Sequence, residues 1–353
     1  MATKNLRTIF EGLNNKPVAF IIKGSPDPDA IASSLALLSY YQTLGGDGQI
    51  YHEDYISHSA NKAMINILDI KVSETPFSNL NPDVYILTDH SNPNIEGIDL
   101  AKCALHVDHH KESHDGEKDK TKAQINQIIE YDAGACSSIV TRLLNEVDYF
   151  NSGSNTISQV ATALAYGIRT DTDNLDGARP KDYDALKILS QYINKENLQK
   201  ITRSRISTQT ADVLKKALTA EKTEQNWLYA CVGFLQETYR DSIASVADEL
   251  IRRSGTDCVL VYAIIEKAGE LVVEGSIRST DPGFDMDGFS RNFSTNAGGR
   301  KYKGGFNVPL GAWCSWANQE QIEEVVKTSI ENRLKSVLGT NTKAKKAKKE
   351  KDE

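Results

Sequence analysis

The sequence predicts an α/β protein: a parallel sheet flanked by helices over residues 1–195, a helical linker over 196–225, a smaller mixed α/β domain over 226–338, and a disordered lysine-rich tail over 339–353. Three observations lead there. The runs Val18–Ile22, Val84–Thr88 and Ala104–Val107 are continuously apolar, as strands covered on both faces of a parallel sheet are. The first of them passes through Lys23–Asp29 into an Ala-, Ser- and Leu-rich helical stretch, Ala30–Leu44, closed by Gly45-Gly46, which is half of a βαβ unit. A chain of 353 residues with 39% hydrophobic and 25% charged residues has an ordinary globular composition and enough apolar side chains for two cores.

Taken in order, Leu6, Ile9, Phe10 and Leu13 mark an opening amphipathic helix, and Gln49–Glu53 and Asn61–Ile70 supply a second strand and a second helix. Gly134-Ala135-Cys136-Ser137-Ser138 opens a helix through Leu144, its small residues suiting close approach to a phosphate or to the sheet. A helix over Ser158–Ile168 precedes the polar stretch Arg169–Leu175, and another follows over Asp182–Tyr192. The second half reads as a strand at Trp227–Phe234, a helix at Ile243–Arg252, a hairpin of Cys258–Ile265 with Leu271–Ser276, a glycine-flanked basic loop at Gly298–Gly305, and a closing helix at Gln319–Val337. The Lys-rich tail is low in complexity and is read as solubilising.

Composition excludes several classes. No apolar run approaches the roughly 20 residues of a membrane span, and the first residues lack the apolar segment of a secretory signal, so a cytoplasmic protein with no membrane partner is expected. Five cysteines, at 103, 136, 231, 258 and 314, form no C-x-x-C pair, against a disulfide framework or a zinc ribbon. A net charge of −7 argues against wholesale coating of nucleic acid while permitting a local basic groove.

Chemistry concentrates at the expected strand ends. All seven histidines fall between His52 and His114, and Asp108-His109-His110 leaves one strand as Asp89-His90 leaves another, on the edge where open α/β sheets bind ligands. In Pro26-Asp27-Pro28-Asp29 the prolines stiffen an extended backbone that turns both carboxylates toward one cleft, where they repel unless a cation lies between them. The plainer use of this loop is an aspartate N-cap for the following helix, a role that Asp29 can also serve. Asp171 supplies a further carboxylate. Several aspartates with an imidazole suit Mn²⁺ or Mg²⁺ better than softer metals, and a pair of such ions would polarise a phosphoryl group and generate hydroxide.

The order and spacing of Pro26-Asp27-Pro28-Asp29-Ala30-Ile31-Ala32-Ser33, Asp89, Asp108-His109-His110 and Asp171 resembles the DHH phosphoesterase superfamily, which includes RecJ-like exonucleases, family II inorganic pyrophosphatases and the nanoRNases that also act on pAp. Ser276-Ile277-Arg278-Ser279 and the loop from Gly298 look like its smaller DHHA1 domain. The resemblance, over roughly residues 15 to 315, implies a two-domain manganese- or magnesium-dependent hydrolase with nuclease-like chemistry on short oligonucleotides, pAp, or cyclic and linear dinucleotides. It implies that Asp29, Asp89, His109 and Asp171 hold one metal and that Asp27 and Asp89 hold a second. His110 faces the phosphate, Asp108 is structural, and Arg278, Gly298, Gly299 and Arg300 bind substrate. Whether the chain is a monomer or a homodimer is left open. Two positions depart from the pattern. Lys23 stands where a ligand histidine is usual, as a protonated cation among the carboxylates that leaves one metal firmly bound and the second site weakened. Arg300 replaces the histidine of the glycine loop. A catalytically weakened nucleotide-binding or regulatory homologue, and a pyrophosphatase- or exopolyphosphatase-like enzyme, are the alternatives.

Overall fold

A computed structural model describes residues 6–352 except 25, 57, 111–124, 204–207, 268, 282, 301 and 313–315, and gives the backbone alone for 59, 300 and 339–352. The chain divides into two compact units, Met1–Arg205 and Ile206–Glu353.

The first unit is an all-parallel six-stranded sheet in the order β3-β2-β1-β4-β5-β6, formed by β1 (Val18–Ile22), β2 (Gly48–His52), β3 (Val72–Glu74), β4 (Val84–Thr88), β5 (Cys103–Asp108) and β6 (Asn126–Ile129). Its helices are α1 (Leu6–Glu11), α2 (Pro28–Thr43), α3 (Ser59–Ile67), α4 (Cys136–Glu146), α5 (Ile157–Asp171), α6 (Pro180–Leu189) and α7 (Lys195–Thr202). Alternate residues of β1 face different cores: Phe20 and Ile22 join the large cluster with α2, α4 and α5, while Ala19 and Ile21 join a smaller one with Tyr85 and Leu87. Continuous apolar runs are what such two-faced burial requires. Since α2 carries Ala, Ser and Leu all round, it lies buried from Pro28 to Tyr41 and packs on α4 and α5. The order of strands reverses direction between β1 and β4, and the carboxyl ends of these two strands carry Asp27 to Asp29 and Asp89.

The second unit is a mixed six-stranded sheet, β11-β12-β10-β9-β8-β7. Its strands are β7 (Lys222–Glu224), β8 (Trp227–Leu235), β9 (Cys258–Lys267), β10 (Glu270–Ser279), β11 (Ala297–Arg300) and β12 (Lys303–Pro309). Only β8 and β9 run parallel. One face is covered by α8 (Thr208–Ala220) and α9 (Arg240–Arg253), the other by α10 (Met286–Ser290) and α11 (Gln319–Asp352).

Several expectations change. The span 196–225 is divided between the units: Ile201 of α7 lies in the first unit's core and Val213 and Ala217 of α8 in a core of the second. The glycine-flanked basic segment is an antiparallel pair, with Gly298 opposite Gly305 and Gly299 opposite Gly304. Its glycines admit α10, because a Cβ on Gly299 or Gly304 would fall 2.5 or 2.8 Å from Met286 Cγ. The closing helix does not stop at Val337 but continues through the lysine-rich tail to Asp352, in keeping with the high helix propensity of Ala, Lys and Glu. Among the described residues no helix is long and apolar enough to cross a membrane. Cys103, Cys136, Cys231 and Cys258 are free and buried, whereas Cys314 and His114 lie outside the described residues.

Candidate metal centre

Four elements of the first unit deliver acidic or imidazole groups to one place. Asp89, just past β4, adopts a left-handed backbone (φ 58°) that Asp tolerates better than most residues, and its amide is fixed to Val107 O at 2.9 Å. His109 follows β5, and its Nε2 lies 3.3 Å from Asp89 Oδ1 and 3.0 Å from Asp171 Oδ2. Donor atoms of Asp29, His109 and Asp171 lie within 4.8 Å of one another, and so do those of Asp89, His109 and His110. Bonds of about 2.0–2.6 Å to a common ion require separations of this size.

The helix ends that bring Asp29 and Asp171 together have specific causes. Asp27, not the expected Asp29, caps α2, its Oδ1 accepting from Ala30 N at 2.9 Å. That leaves the fully buried Asp29 carboxylate to accept from the N-terminus of α4, from Cys136 N and Ser137 N at 2.7 Å each. The small residues that open α4 therefore receive an anion, as expected of a helix N-terminus, but that anion is the chain's own Asp29. Asp171 is the last residue of α5 rather than part of a loop beyond it. One turn earlier, a Cβ on Gly167 would fall 2.5 Å from Ser137 Oγ and 3.1 Å from Asp29 Cα, so only glycine lets α5 close on α2 and α4. Asp182, which nothing in the sequence singled out, bonds to Gly134 N and Ser138 Oγ behind the same helix start.

Like charges are crowded here. Burial, reinforced by the charge of Asp171, pushes Asp29 up to about 7. Burial and the charges of Asp27 and Asp29 hold Asp89 well above the carboxylate range. Burial alone would lower His109, but its contacts with Asp171 and Asp89 and the charge of Asp29 outweigh it and raise the imidazole to about 11. Asp89 Oδ1 and His109 Nε2 are buried and, although close, are not aligned as a hydrogen bond. Hard carboxylates around one imidazole, with donor atoms stranded in this way, fit a divalent cation. Beside them, burial and the charge of Asp29 push the Cys136 thiol up, and its Sγ donates to Val107 O at 3.4 Å.

These directions give a pH dependence. A raised acid stabilises the metal-free protein fully below its unfolded value near 3.8, and that contribution is lost as pH rises through about 7. The protonated His109 is retained up to about 11. A cation must displace these protons, so Mn²⁺ should raise Tm little at pH 5.5 and progressively more toward pH 8, its affinity growing by about tenfold per pH unit for each proton released. Thermal scans with and without Mn²⁺ measure this; an increment independent of pH would contradict it.

The other expected site residues are placed as follows. Asp27 is raised by burial and feels the charges of Asp171 and His109, and it is in neither group of closely spaced donors. His110 Nδ1 lies 2.7 Å from Asp108 Oδ1, and Asp108 is buried, so the structural role expected of Asp108 is to orient that ring. Lys23 is not the cation among carboxylates that was expected: its amine donates to Asn94 O at 2.5 Å, it forms no ion pair among the described residues, and burial lowers its pKa. Arg278 is also not exposed for phosphate. Its Nε reaches Asp248 Oδ1 at 2.6 Å, Nη1 donates to Ser276 Oγ and Ile277 O, and Nη2 to Ala244 O and Asp248 Oδ2, which occupies all five N–H groups inside the second unit. Gly299 N donates to Asp287 Oδ1. Gly298 lines a cleft of about 560 Å³ in that unit with Arg240, Arg291, Asn296 and Asn307, and the side chain of Arg300 lies outside the described residues.

The chain is 30% identical over 326 residues to Uncharacterized protein MJ1633 of Methanocaldococcus jannaschii, a match covering 92% of this chain and 64% of the relative, so the chain spans under two thirds of that protein's length. It is 23% identical over 329 residues to Uncharacterized protein MJ0988 of the same organism, covering 90% of this chain and 94% of the relative. The fold is shared with a solved exopolyphosphatase-related protein from Bacteroides fragilis, at a TM-score of 0.62 and 17% identity over 92% of this chain and 96% of that one. Residues 18–168, which carry Asp27, Asp29, Asp89, Asp108, His109 and His110 and end three residues before Asp171, match the DHH family, N-terminal domain.

Proposed function

We propose that the protein is a divalent-metal-dependent phosphoesterase acting on short nucleotide substrates. The observation that carries this reading is that His109 is shared by two compact groups of donors from separate elements, one with Asp29 and Asp171 and one with Asp89 and His110, each small enough for the coordination sphere of an ion. In this reading Asp29, Asp89, His109 and Asp171 hold the ion and Asp27 flanks it. Bound there, Mn²⁺ or Mg²⁺ supplies Lewis-acid polarisation of a phosphoryl oxygen and lowers the pKa of water. The chain's own groups do the rest. Asp108 holds His110 through Nδ1, and in this reading the other ring nitrogen meets a phosphate oxygen, as a hydrogen-bond partner that can move a proton. Buried Asp29, held from two sides by amides of α4, is the member least free to shift during turnover.

The second unit holds a cleft lined by Gly275, Gly298 and Gly305 with Arg240 and Arg291, which pair with Glu274 and Asp287; in this reading an anionic ligand binds there by exchanging those pairings, and Arg278 takes no part. We assign this unit the DHHA1 role. Hydrolysis by the purified protein with added Mn²⁺, tested on pAp, linear and cyclic dinucleotides, short oligonucleotides, pyrophosphate and polyphosphate, separates the readings. Turnover of a dinucleotide or pAp well above that of pyrophosphate is expected. Preference for polyphosphate, the substrate suggested by the name of the Bacteroides protein, would instead favour an exopolyphosphatase. Tight Mn²⁺ binding without turnover of any of these would favour a nucleotide-binding homologue.

A further inference from the structure

The start of α4 is gripped from both sides. In front of it, Cys136 N and Ser137 N donate to Asp29. Behind it lies a second carboxylate, Asp182 of α6, with no exposed surface at all. Gly134 N lies 3.0 Å from both of its oxygens, Ser138 Oγ donates to Oδ1 at 2.6 Å, and Arg179 N donates to Oδ2 at 2.7 Å. Among the described residues no cation pairs with Asp182. Its charge is borne instead by donors at the starts of two helices, α4 and α6, where the helix dipole favours an anion.

The packing leaves this clamp little play. A Cβ on Gly134 would fall 2.4 Å from Asp182 Oδ2 and 2.8 Å from Thr172 Cγ2. Thr172 directly follows Asp171. Gly134, whose amide Asp182 holds, is thus packed between that carboxylate and Thr172, the residue that follows the end of α5, so the carboxylate fixes the turn that aims the α4 amides at Asp29 and, through Gly134, bears on the end of α5. We propose that Asp182 is the positioning residue of the metal centre: it holds the first turn of α4 and the end of α5 in the register that brings Asp29 and Asp171 together with His109. This rests on the metal reading above. Asp182 reaches the centre only through other residues and coordinates nothing itself.

Partners of ligating groups typically cost 10- to 100-fold in metal affinity when lost. Titration of the full-length protein with Mn²⁺ alone, followed by calorimetry and by the electron-paramagnetic signal of bound Mn²⁺, should show a loss of about that size in Asp182→Asn, which keeps the shape but sets an amide N–H₂ against donors. Ser138→Ala removes a single donor and should cost less, about three- to tenfold, with a better chance of folding normally. Leu143→Ala, a core truncation on the same helix, serves as the stability control. It should lower Tm at least as much while leaving Mn²⁺ affinity within about threefold. The proposal is overturned if Asp182→Asn and Ser138→Ala bind Mn²⁺ as wild type does, or if Leu143→Ala weakens binding as much as Asp182→Asn. Asp89→Asn separates the two levels of inference. Wild-type Mn²⁺ binding by Asp89→Asn would overturn the metal reading itself, whereas loss of binding there with none in Asp182→Asn would overturn only the positioning role.

Discussion

His109→Ala is expected to weaken Mn²⁺ binding by at least about a thousandfold and to remove metal-dependent hydrolysis with it. The reason is geometric as well as chemical. His109 belongs to both groups of potential donors, the one with Asp29 and Asp171 and the one with Asp89 and His110, so its loss opens every coordination sphere the centre can form. A ligand contributes several kcal/mol to a hard-cation site, and a thousandfold loss corresponds to about 4 kcal/mol. Calorimetric titration with Mn²⁺ measures it directly. Mn²⁺ affinity within about tenfold of wild type in His109→Ala would mean that the ion sits elsewhere.

The strand ends were the legible part of this site because two independent patterns coincide there. Continuous apolar runs announce β1, β4 and β5, and the next residues are Asp or His. Strands β3 and β6 escaped for the opposite reason: Val72-Ser73-Glu74 and Asn126–Ile129 are short edge strands, only half-buried, with no apolar run to mark them. Asp171 was placed beyond its helix because Arg169-Thr170 looks like a polar terminus, yet Thr170 Oγ1 bonds back to Tyr166 O and Gly167 O and the helix runs one turn further. What sequence could not show is which partner a long or buried polar group finds. The direction of the Lys23 amine depends on Asn94, 71 residues away. Asp182 looks like an ordinary acidic residue in the first turn of a helix opened by Pro180, and its link to Gly134, 48 residues earlier, exists only in the fold.

Arg278→Ala carries the second large effect, and it should fall on stability rather than on the metal. As a residue near a strand end beside a glycine-rich segment, Arg278 looks in sequence like a phosphate ligand. In the fold its side chain is 8% exposed and forms a short ion pair with Asp248 of α9, whose carboxyl it keeps below the usual range by charge and hydrogen bonding against the opposing effect of burial. Truncating one member of a buried pair leaves the other uncompensated and typically costs about 3–5 kcal/mol. Here the Asp248 side chain is 31% exposed, so solvent screens part of that and about 2–3 kcal/mol is the better expectation. Ser276 Oγ, Ile277 O and Ala244 O lose donors in the same stroke, which ties the loss to the packing of α9 on β10. Because the first unit has its own cores, Mn²⁺ affinity should stay within about threefold of wild type while urea unfolding of the second unit moves to lower concentration. Arg278→Met would recover part of the packing and none of the charge. The converse result, unchanged unfolding with nucleotide affinity lost at constant Mn²⁺ affinity, would mean that Arg278 leaves Asp248 to meet the ligand and that the buried pair is its resting position.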